Sequence, residues 1–187
     1  MKSILQFIVM MLTLVIIQPA QAAEEGLDKA SLLLQWTPQA QFAGYFMAQE
    51  KGFYRQQGID LTIIPGGPDK VVSDSLATGK VSFGTMFLST ALKRRAAGMP
   101  LVNIGQIIQD STLMLIARTG TGIESIADLD QKKVAIWANE FQIQLRMLFD
   151  QEGIEVVVVP QGGTMDLFLY GAASATSGLW YNEYHTI

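Results

Sequence analysis

Five side chains that could stack on or hydrogen-bond to a ligand follow the first strand predicted from the sequence: Trp36, Gln39, Gln41, Phe42 and Tyr45. In open α/β sheets, ligands bind beyond the carboxyl ends of the strands, next to helix N-termini. Aromatic faces combined with amide groups suit a flat, polar, small molecule held in a cleft. We therefore predict that these residues bind a ligand.

Further candidates follow the other predicted strands. Those expected in the same cleft are Gly66, Gly67 and Asp69 after the second strand, Thr85 and Ser89 after the third, Trp137 and Asn139 after a later strand, and Trp180, Tyr181, Asn182 and Glu183 near the end of the sequence. The Pro-Gly-Gly-Pro turn would allow backbone N–H groups to approach a ligand. It has no Lys or Ser, so it is not a P-loop.

Several of these candidates also have a purely structural explanation. Trp36 could pack in the core, because aromatic side chains are often largely buried. Phe42 and Tyr45 lie at helical spacing, so at least one of them is expected to pack. The glycine pair is first of all a turn. Glu140 is expected to favour the N-terminus of its helix electrostatically.

The residue types favour binding over catalysis. The 187 residues contain no cysteine, and His185 is the single histidine. Thiolate chemistry, His-based metal sites and Ser-His-Asp triads therefore have no support, and we expect no enzyme activity, cofactor or metal. The net charge of −4 gives no reason to expect nucleic-acid binding. The basic cluster Lys93-Arg94-Arg95 is expected to be a solvated helix end.

Residues 1–22 have the pattern of a cleaved signal peptide. Lys2 supplies the positive charge, residues 4–17 form an apolar run, and Ala20-Gln21-Ala22 matches the small-x-small cleavage site. A retained membrane anchor is the alternative, but the run is short for a span of about 20 residues. We therefore expect a secreted, periplasmic protein.

Strands alternate with helices in the rest of the chain. The predicted strands are 31–35, 61–65, 81–84, 101–108, 112–118, 133–137, 156–159 and 175–179, and the predicted helices are 42–51, 69–78, 86–97, 126–129, 140–152 and 165–170. Asp69 is expected to cap its helix. This alternation favours an α/β fold with mainly parallel sheets. The Thr-Gly-Thr-Gly segment at 119–122 is the clearest linker.

The order and spacing of several segments resemble one protein family. The stretch LLLQWTPQAQFAGYFMAQEKGFYRQQGIDLTIIPGG contains its "EKGFY" element at 50–54 and its "GIDL" element at 58–61. AAGMPLVNIGQIIQ and GIESIADLDQKKVAIW extend the match. The chain resembles periplasmic solute-binding proteins of the thiamine-pyrimidine-precursor family, which are related to sulfonate-, taurine- and nitrate-binding proteins. One departure is Gln131, where the family usually has Gly in a turn.

The resemblance implies a periplasmic-binding-protein-like fold of type II, with two lobes and mainly parallel sheets. Residues 23–118 would form the first part of lobe 1. Residues 119–187 would form lobe 2, which is expected to be incomplete because the family continues further. The implied function is capture of a thiamine pyrimidine precursor, a related heterocycle or a sulfonate-like solute between the lobes. The implied partner is an ABC permease in the inner membrane.

Two other functions are considered beside this one. The same module occurs as the sensing domain of membrane histidine kinases and diguanylate cyclases, and the Gln-Phe-Ala-Gly-Tyr turn resembles those members. Yeast relatives make the pyrimidine with a histidine and a lysine, and the turn after Trp36 contains neither. Pyrimidine-binding members commonly have Asn and His in that turn, where this chain has Gln39 and Phe42. An enzyme is therefore the least favoured function.

Overall fold

Two sheets form the framework of the computed structural model, which describes residues 26–187 apart from the side chain of Asn139. The predicted signal peptide lies outside these residues. The first sheet has the order β2-β1-β3, and all its described strands are parallel. Its strands are β1 (Asp28–Leu33), β2 (Ile59–Ile64) and β3 (Phe83–Gly84), and its helices are α1 (Ala43–Glu50), α2 (Phe53–Gln56), α3 (Val72–Ala77) and α4 (Leu88–Ala96).

The second sheet has the order β4-β7-β5-β6. β5 is parallel to both β6 and β7, whereas β4 is antiparallel to β7. The strands are β4 (Leu113–Ala117), β5 (Lys133–Trp137), β6 (Val157–Gln161) and β7 (Ala175–Leu179), and the helices are α5 (Ile143–Glu152) and α6 (Asp166–Leu169). Single 3₁₀ turns cover Ala40–Phe42, Ile126–Leu129, Asn139–Gln142 and Glu183–His185. The α/β class with mainly parallel sheets is therefore confirmed.

The change of sheet comes earlier than the expected lobe boundary at residue 119. β4 precedes the Thr-Gly-Thr-Gly segment, yet Leu113 to Ala117 pair with β7 of the second sheet. The chain therefore leaves the first sheet between α4 and β4. Below, the first lobe means the first sheet with its helices, and the second lobe means the second sheet with its helices.

The strand expected over residues 101–108 is not formed, which corrects that prediction. Val102 and Ile104 are 81% and 77% exposed. Strand formation needs a neighbouring strand to satisfy its backbone groups, and the described residues place none beside this segment. A periodic apolar pattern alone could not reveal that.

Two helix starts also differ from expectation. α3 begins after Val71, which has no side-chain capping bond, so Asp69 does not cap it. The helix predicted to start at Glu140 begins as the 3₁₀ turn Asn139–Gln142 and becomes α-helical only at Ile143. Both differences lie within one or two turns of the predicted ends, where local sequence is least decisive.

Gln131 has a left-handed backbone with φ of 57°. Its N–H donates to the Glu155 carbonyl at 2.6 Å, which ties the turn to the segment before β6. A side chain other than that of glycine is strained in this conformation. This is the position at which the family resemblance leads one to expect glycine.

Two clusters of buried apolar side chains pack against the sheets. One lies in the second lobe and includes Val134, Ile136, Leu145 and Phe149. The other joins the two lobes, because it contains Leu34, Trp36 and Phe42 of the first and Trp137 and Leu179 of the second. Burial of this shared cluster removes apolar surface of both lobes from water. It brings the carboxyl ends of β1 and β5 together.

Candidate ligand-binding cleft between the sheets

Four aromatic rings meet where the carboxyl ends of β1 and β5 face each other. We call Trp36, Phe87, Trp137 and Phe141 the aromatic cluster. The ring centroid of Trp36 lies 6.1 Å from that of Trp137 and 4.9 Å from that of Phe141. Phe87 and Phe141 make an edge-to-face contact at 5.5 Å. Such geometries are favourable for aromatic pairs, and here they link residues of both lobes.

The backbone of Trp36 is held by the turn after β2. The Gly66 N–H donates to the Trp36 carbonyl at 3.1 Å. A Cβ at Gly66 would lie 2.0 Å from the Leu34 carbonyl oxygen, so only glycine fits this close approach. By contrast, the nearest atom to a Cβ at Gly67 is a Thr37 methyl carbon at 4.0 Å. Of the two glycines, Gly66 therefore has the demonstrable structural role.

The segment between β1 and Trp36 is also fixed by the end of β3. Thr85 Oγ1 accepts a hydrogen bond from the Gln35 N–H at 2.8 Å. The Thr85 N–H donates to the Leu33 carbonyl at 3.0 Å. Thr85 thus positions the strand end that carries Trp36. This predicted ligand residue therefore has a structural role.

The end of β6 fixes Trp137 in the second lobe. The Trp137 indole N–H donates to the Gly162 carbonyl at 3.2 Å. Next to Gly162, the buried Gln161 side chain accepts from the hydroxyls of Thr176 and Ser177, each at 2.9 Å. Because this polar network is satisfied, it costs little to bury and can hold the strand end in one place.

A polar contact joins the lobes beside the aromatic cluster. The Ser73 hydroxyl of α3 donates to Glu140 Oε1 at 2.5 Å. Arg94 of α4 contacts the same oxygen at 3.4 Å and pairs with Asp74 at 3.4 Å. Ser73 is 1% exposed, whereas 14% of the Glu140 side chain is exposed. The carboxylate of the second lobe therefore reaches into donors supplied by the first.

A small depression with a cavity volume of about 10 Å³, which is room for about one water molecule, lies between these groups. Pockets for drug-sized ligands are far larger, about 300–1,000 Å³, so the lobes lie close together here. The lining residues combine aromatic, polar and charged side chains: Gln35, Lys70, Val72, Met86, Phe87, Thr90, Glu140 and Phe141.

Four buried polar side-chain atoms have no hydrogen-bond partner among the described residues. They are Thr90 Oγ1, Ser89 Oγ, Gln41 Oε1 and Tyr181 Oη. Buried polar groups are normally satisfied, and an unsatisfied one calls for an explanation. Thr90 lines the depression and is 1% exposed. It could hydrogen-bond to a molecule held there.

The predicted ligand residues in the turn after β1 have different environments. Gln41 donates to Gln39 Oε1 at 3.0 Å, so the two amides form one polar group. Phe42 is 3% exposed and belongs to the core that joins the lobes. Tyr45 packs against the same core, and burial raises the pKa of its hydroxyl above the ordinary value of 10.0, with Tyr54 adding to the shift. The prediction that at least one of Phe42 and Tyr45 packs in the core is therefore confirmed by Phe42.

Asp69 and Trp180 face solvent. Asp69 is exposed beyond the turn after β2. Trp180 is 53% exposed, and its ring stacks on Tyr184 at 5.0 Å rather than joining the aromatic cluster. The side chain of Asn139 lies outside the described part of the chain. A ligand role for these three residues remains a prediction.

The remaining candidates near Trp180 are tied into the fold. Glu183 accepts from the Leu179 N–H at 2.9 Å and from the Asn182 amide at 2.7 Å. Tyr181 packs against the core that joins the lobes. Burial raises the pKa of the Tyr181 hydroxyl, and the Thr112 side chain opposes the shift. Glu183 and Asn182 therefore shape the turn after β7.

Sequence reasoning missed four residues of this site as ligand candidates, Ser73, Phe87, Arg94 and Phe141, and it gave Glu140 a structural role at the N-terminus of its helix. The rule that selects residues after strands could have found Phe87, which follows Thr85 and Met86. Ser73 and Glu140 are 67 residues apart, so no local pattern joins them. Arg94 was expected at a solvated helix end, whereas it pairs with Glu140 across the lobes.

Two absences are also observed within residues 26–187. No group of three or more His, Cys, Asp or Glu side chains is placed to hold a metal ion. Among the same residues, no helix has the length and apolar character needed to cross a bilayer.

Solved structures with the same fold are solute-binding proteins. The aliphatic sulphonate binding protein SsuA of Escherichia coli superimposes with a TM-score of 0.57 at 19% identity, over 81% of this chain and 51% of that one. The alkanesulfonate-binding protein SsuA of Xanthomonas axonopodis pv. citri, bound to MOPS, gives 0.58 at 17% identity, over 88% and 57%. These likenesses confirm the type II periplasmic-binding-protein-like fold.

Relatives found by sequence similarity are named as synthases rather than as binding proteins. The 4-amino-5-hydroxymethyl-2-methylpyrimidine phosphate synthase of Saccharomyces cerevisiae is 27% identical over 68% of this chain and 38% of its own length. The protein of that name from Legionella pneumophila is 29% identical over 57% and 34%. The chain thus spans less than two fifths of these relatives. The model of the "NMT1/THI5 like" family matches residues 39–187, and the chain belongs to this NMT1/THI5-like family.

Proposed function

We propose that this chain is the ligand-binding part of a solute-binding protein that captures a small organic molecule between its two lobes. The observation that carries the proposal is the aromatic cluster, because Trp36 and Phe87 come from the first lobe and Trp137 and Phe141 from the second. A flat solute placed among these rings would contact both lobes at once. The candidate solutes are a thiamine pyrimidine precursor, a related heterocycle or a sulfonate-like compound.

The geometry suggests how capture and release would work. A ligand between the lobes exchanges its contacts with water for contacts with aromatic faces, which removes apolar surface from solvent. The Ser73–Glu140 contact closes the same interface. Opening the lobes breaks both sets of contacts and frees the ligand. Delivery to an ABC permease in the inner membrane, by a periplasmic protein, is part of the proposal.

We favour binding over synthesis, although relatives are named as synthases. The single histidine of the sequence, His185, makes ring contacts with Trp180 and Tyr184 at 5.9 and 5.5 Å. These rings are outside the aromatic cluster, so this imidazole has no place in the proposed cleft. A bound pyrimidine should therefore be recovered unchanged after prolonged incubation, which chromatography of the released ligand would check.

Tryptophan fluorescence offers a direct test of binding. The sequence has three tryptophans, of which Trp36 and Trp137 lie in the cluster and Trp180 is exposed. In a Trp180→Phe variant the emission reports on the cluster alone. Titration with 4-amino-5-hydroxymethyl-2-methylpyrimidine and with MOPS should give a saturable change for at least one of them. If neither compound gives saturable fluorescence change or calorimetric heat, the proposed function is wrong.

A further inference from the structure

An uncharged and exposed segment lies between α4 and β4. Residues 96–109 contain no charged side chain. Within them, Val102, Ile104 and Ile107 are 81%, 77% and 68% exposed. Large apolar side chains that stand next to one another in solvent are typical of a surface that binds another molecule, because their burial is favourable.

The backbone of this segment is available for pairing. Residues 102–108 make no backbone–backbone hydrogen bond with any described residue. Side chains of the segment itself satisfy a few groups: the Gly105 N–H donates to Asn103 at 3.0 Å, and the Ile108 carbonyl accepts from Gln106 at 2.7 Å. Unpaired N–H and C=O groups in an exposed segment are a template for strand pairing with another chain.

The segment is complementary to itself in the antiparallel direction. If two copies pair about a centre between Ile104 and Gly105, the opposite residues are Leu101 and Ile108, Val102 and Ile107, and Asn103 and Gln106. Apolar side chains then face apolar ones and amides face amides, and such cross-strand pairs stabilise a sheet. In the single chain the Asn103 amide donates to Gln106 at 3.2 Å, and pairing exchanges this contact for two equivalent ones between copies.

Opposite charges flank the segment and support the same direction. Arg95 donates to the Leu101 carbonyl and forms no ion pair with a described carboxylate. Asp110 is exposed and forms no ion pair with a described cation. Because Leu101 of one copy would lie opposite Ile108 of the other, antiparallel pairing brings Arg95 towards Asp110 of the second copy. Parallel pairing would instead place like charges side by side, which is unfavourable.

We propose that residues 101–108 pair as an antiparallel strand with the same residues of a second copy of this chain, so that the protein forms a dimer with two-fold symmetry. The second copy supplies the neighbouring strand that the described residues of one chain do not provide. None of these residues belongs to the aromatic cluster, so the inference does not rest on the proposed function.

A lysine in the middle of the segment provides the test. Sedimentation velocity over a dilution series should show a wild-type dimer that dissociates at low concentration. Ile104→Lys places one charge from each copy near the two-fold centre, and it should raise the dissociation constant of the dimer at least about tenfold because close like charges repel. Since Ile104 is 77% exposed, the single chain should still fold.

Met47→Lys is the matched control for Ile104→Lys. It adds the same charge at an apolar residue of α1 that is 55% exposed and lies outside the segment. This variant should dimerise like the wild-type protein.

A charge exchange tests the antiparallel direction. Arg95→Glu places a carboxylate beside Asp110 of the second copy and should weaken the dimer, whereas adding Asp110→Lys should restore it. A purely structural role of Arg95 would not give this restoration. Hydrogen exchange measured by mass spectrometry provides a second readout, because the backbone N–H groups of residues 102–108 should exchange more slowly in the dimer than in Ile104→Lys.

The outcomes are distinct. A protein that stays monomeric at every concentration overturns the inference and leaves the segment to a different partner. A dimer that Ile104→Lys does not weaken also overturns it, because another surface would then join the copies. A charge exchange that fails to restore the dimer contradicts the antiparallel pairing. Ligand binding is measured separately by tryptophan fluorescence, so failure of this inference does not affect the proposed function.

Discussion

The indole rings of Trp36 and Trp137 lie with their centroids 6.1 Å apart, although one follows the first strand of the first sheet and the other ends β5 of the second. Both are almost fully buried, with 8% and 4% of their surfaces exposed. They meet because each stands at the carboxyl end of a parallel strand and the two sheets face each other there. We predict that a molecule held between the lobes contacts this pair.

Truncation of Trp36 should weaken ligand binding. Stacking is worth about 1–3 kcal/mol per base, so Trp36→Ala should reduce affinity about tenfold or more in calorimetry. Trp36 also packs in the core, and truncating a buried aromatic costs about 3–5 kcal/mol of stability. Circular dichroism must therefore first show that the variant is folded. Trp36→Phe keeps an aromatic ring and should destabilise the protein less.

Tyr170→Ala is the control for this substitution. Its ring is 86% exposed and lies outside the predicted ligand residues. The variant should bind ligand nearly as well as the wild-type protein. Unchanged affinity in a folded Trp36→Ala variant would show that Trp36 only packs.

The two glycines after β2 should respond differently to alanine. A Cβ at Gly66 would meet the Leu34 carbonyl oxygen at 2.0 Å, whereas Gly67 has only a methyl carbon at 4.0 Å. Gly66→Ala forces backbone to move, so it should cost at least about 1–3 kcal/mol. Gly67→Ala should change the free energy of unfolding far less. Urea denaturation of both variants measures the difference, and equal losses would contradict the close approach.

Replacing Gln131 by glycine should stabilise the protein. A left-handed backbone costs a residue with a Cβ about 1–2 kcal/mol, and glycine loses about 0.5–1 kcal/mol through its greater freedom when unfolded. The expected net gain is up to about 1 kcal/mol in chemical denaturation. Lys132→Gly is the control: it has no positive φ to relieve, so it should destabilise. A destabilised Gln131→Gly variant would show that its side-chain contacts outweigh the strain.

The capping box at Ser125 should make stability depend on acidic pH. Asp128 Oδ2 accepts from the Ser125 hydroxyl at 2.8 Å and from the N–H groups of Ser125 and Glu124 at 2.7 and 3.0 Å. The Ser125 hydroxyl bond is the largest cause that lowers the pKa of Asp128 below 3.8, and the two backbone bonds add to it. The unfolded chain therefore binds a proton more readily than the folded one. The stabilisation is present above about pH 3.8 and disappears as pH falls through the lower folded pKa.

Asp128→Asn should accordingly lower Tm at pH 7, and its difference from the wild-type protein should shrink towards pH 2. Asp150→Asn on α5 is the control, since its carboxylate makes no hydrogen bond among the described residues. A Tm difference for Asp128→Asn that stays constant across this range would contradict a role for the ionised carboxylate.

Processing of the N-terminal segment is predicted from the sequence alone. Ala20-Gln21-Ala22 matches a signal-peptidase site. N-terminal sequencing of the exported protein should therefore begin at Ala23 or within one residue of it. Recovery of intact Met1 in a membrane fraction would instead favour the alternative of a membrane-bound sensor.

Element order could be predicted from the sequence because it depends on local patterns. The runs that became β5 and β7 were predicted with their observed bounds, since short apolar segments between turn signals favour strands. The segment at 101–108 shows where such patterns fail. Its apolar residues suit a strand, but pairing depends on a neighbour that the local sequence does not specify.

The candidate site divides in the same way. The positions of Trp36 and Trp137 at strand ends could be predicted from local sequence, because residue type and position in a predicted strand are local properties. Three other features depend on how the chain folds: these two rings meet, Trp180 faces solvent, and Glu140 contacts Ser73 and Arg94. The contacts of Glu140 with Ser73 and Arg94 join residues that are 67 and 46 positions apart. They exist because the carboxyl ends of the two sheets meet across a shared apolar cluster, and that packing is set by the whole chain rather than by any segment of it.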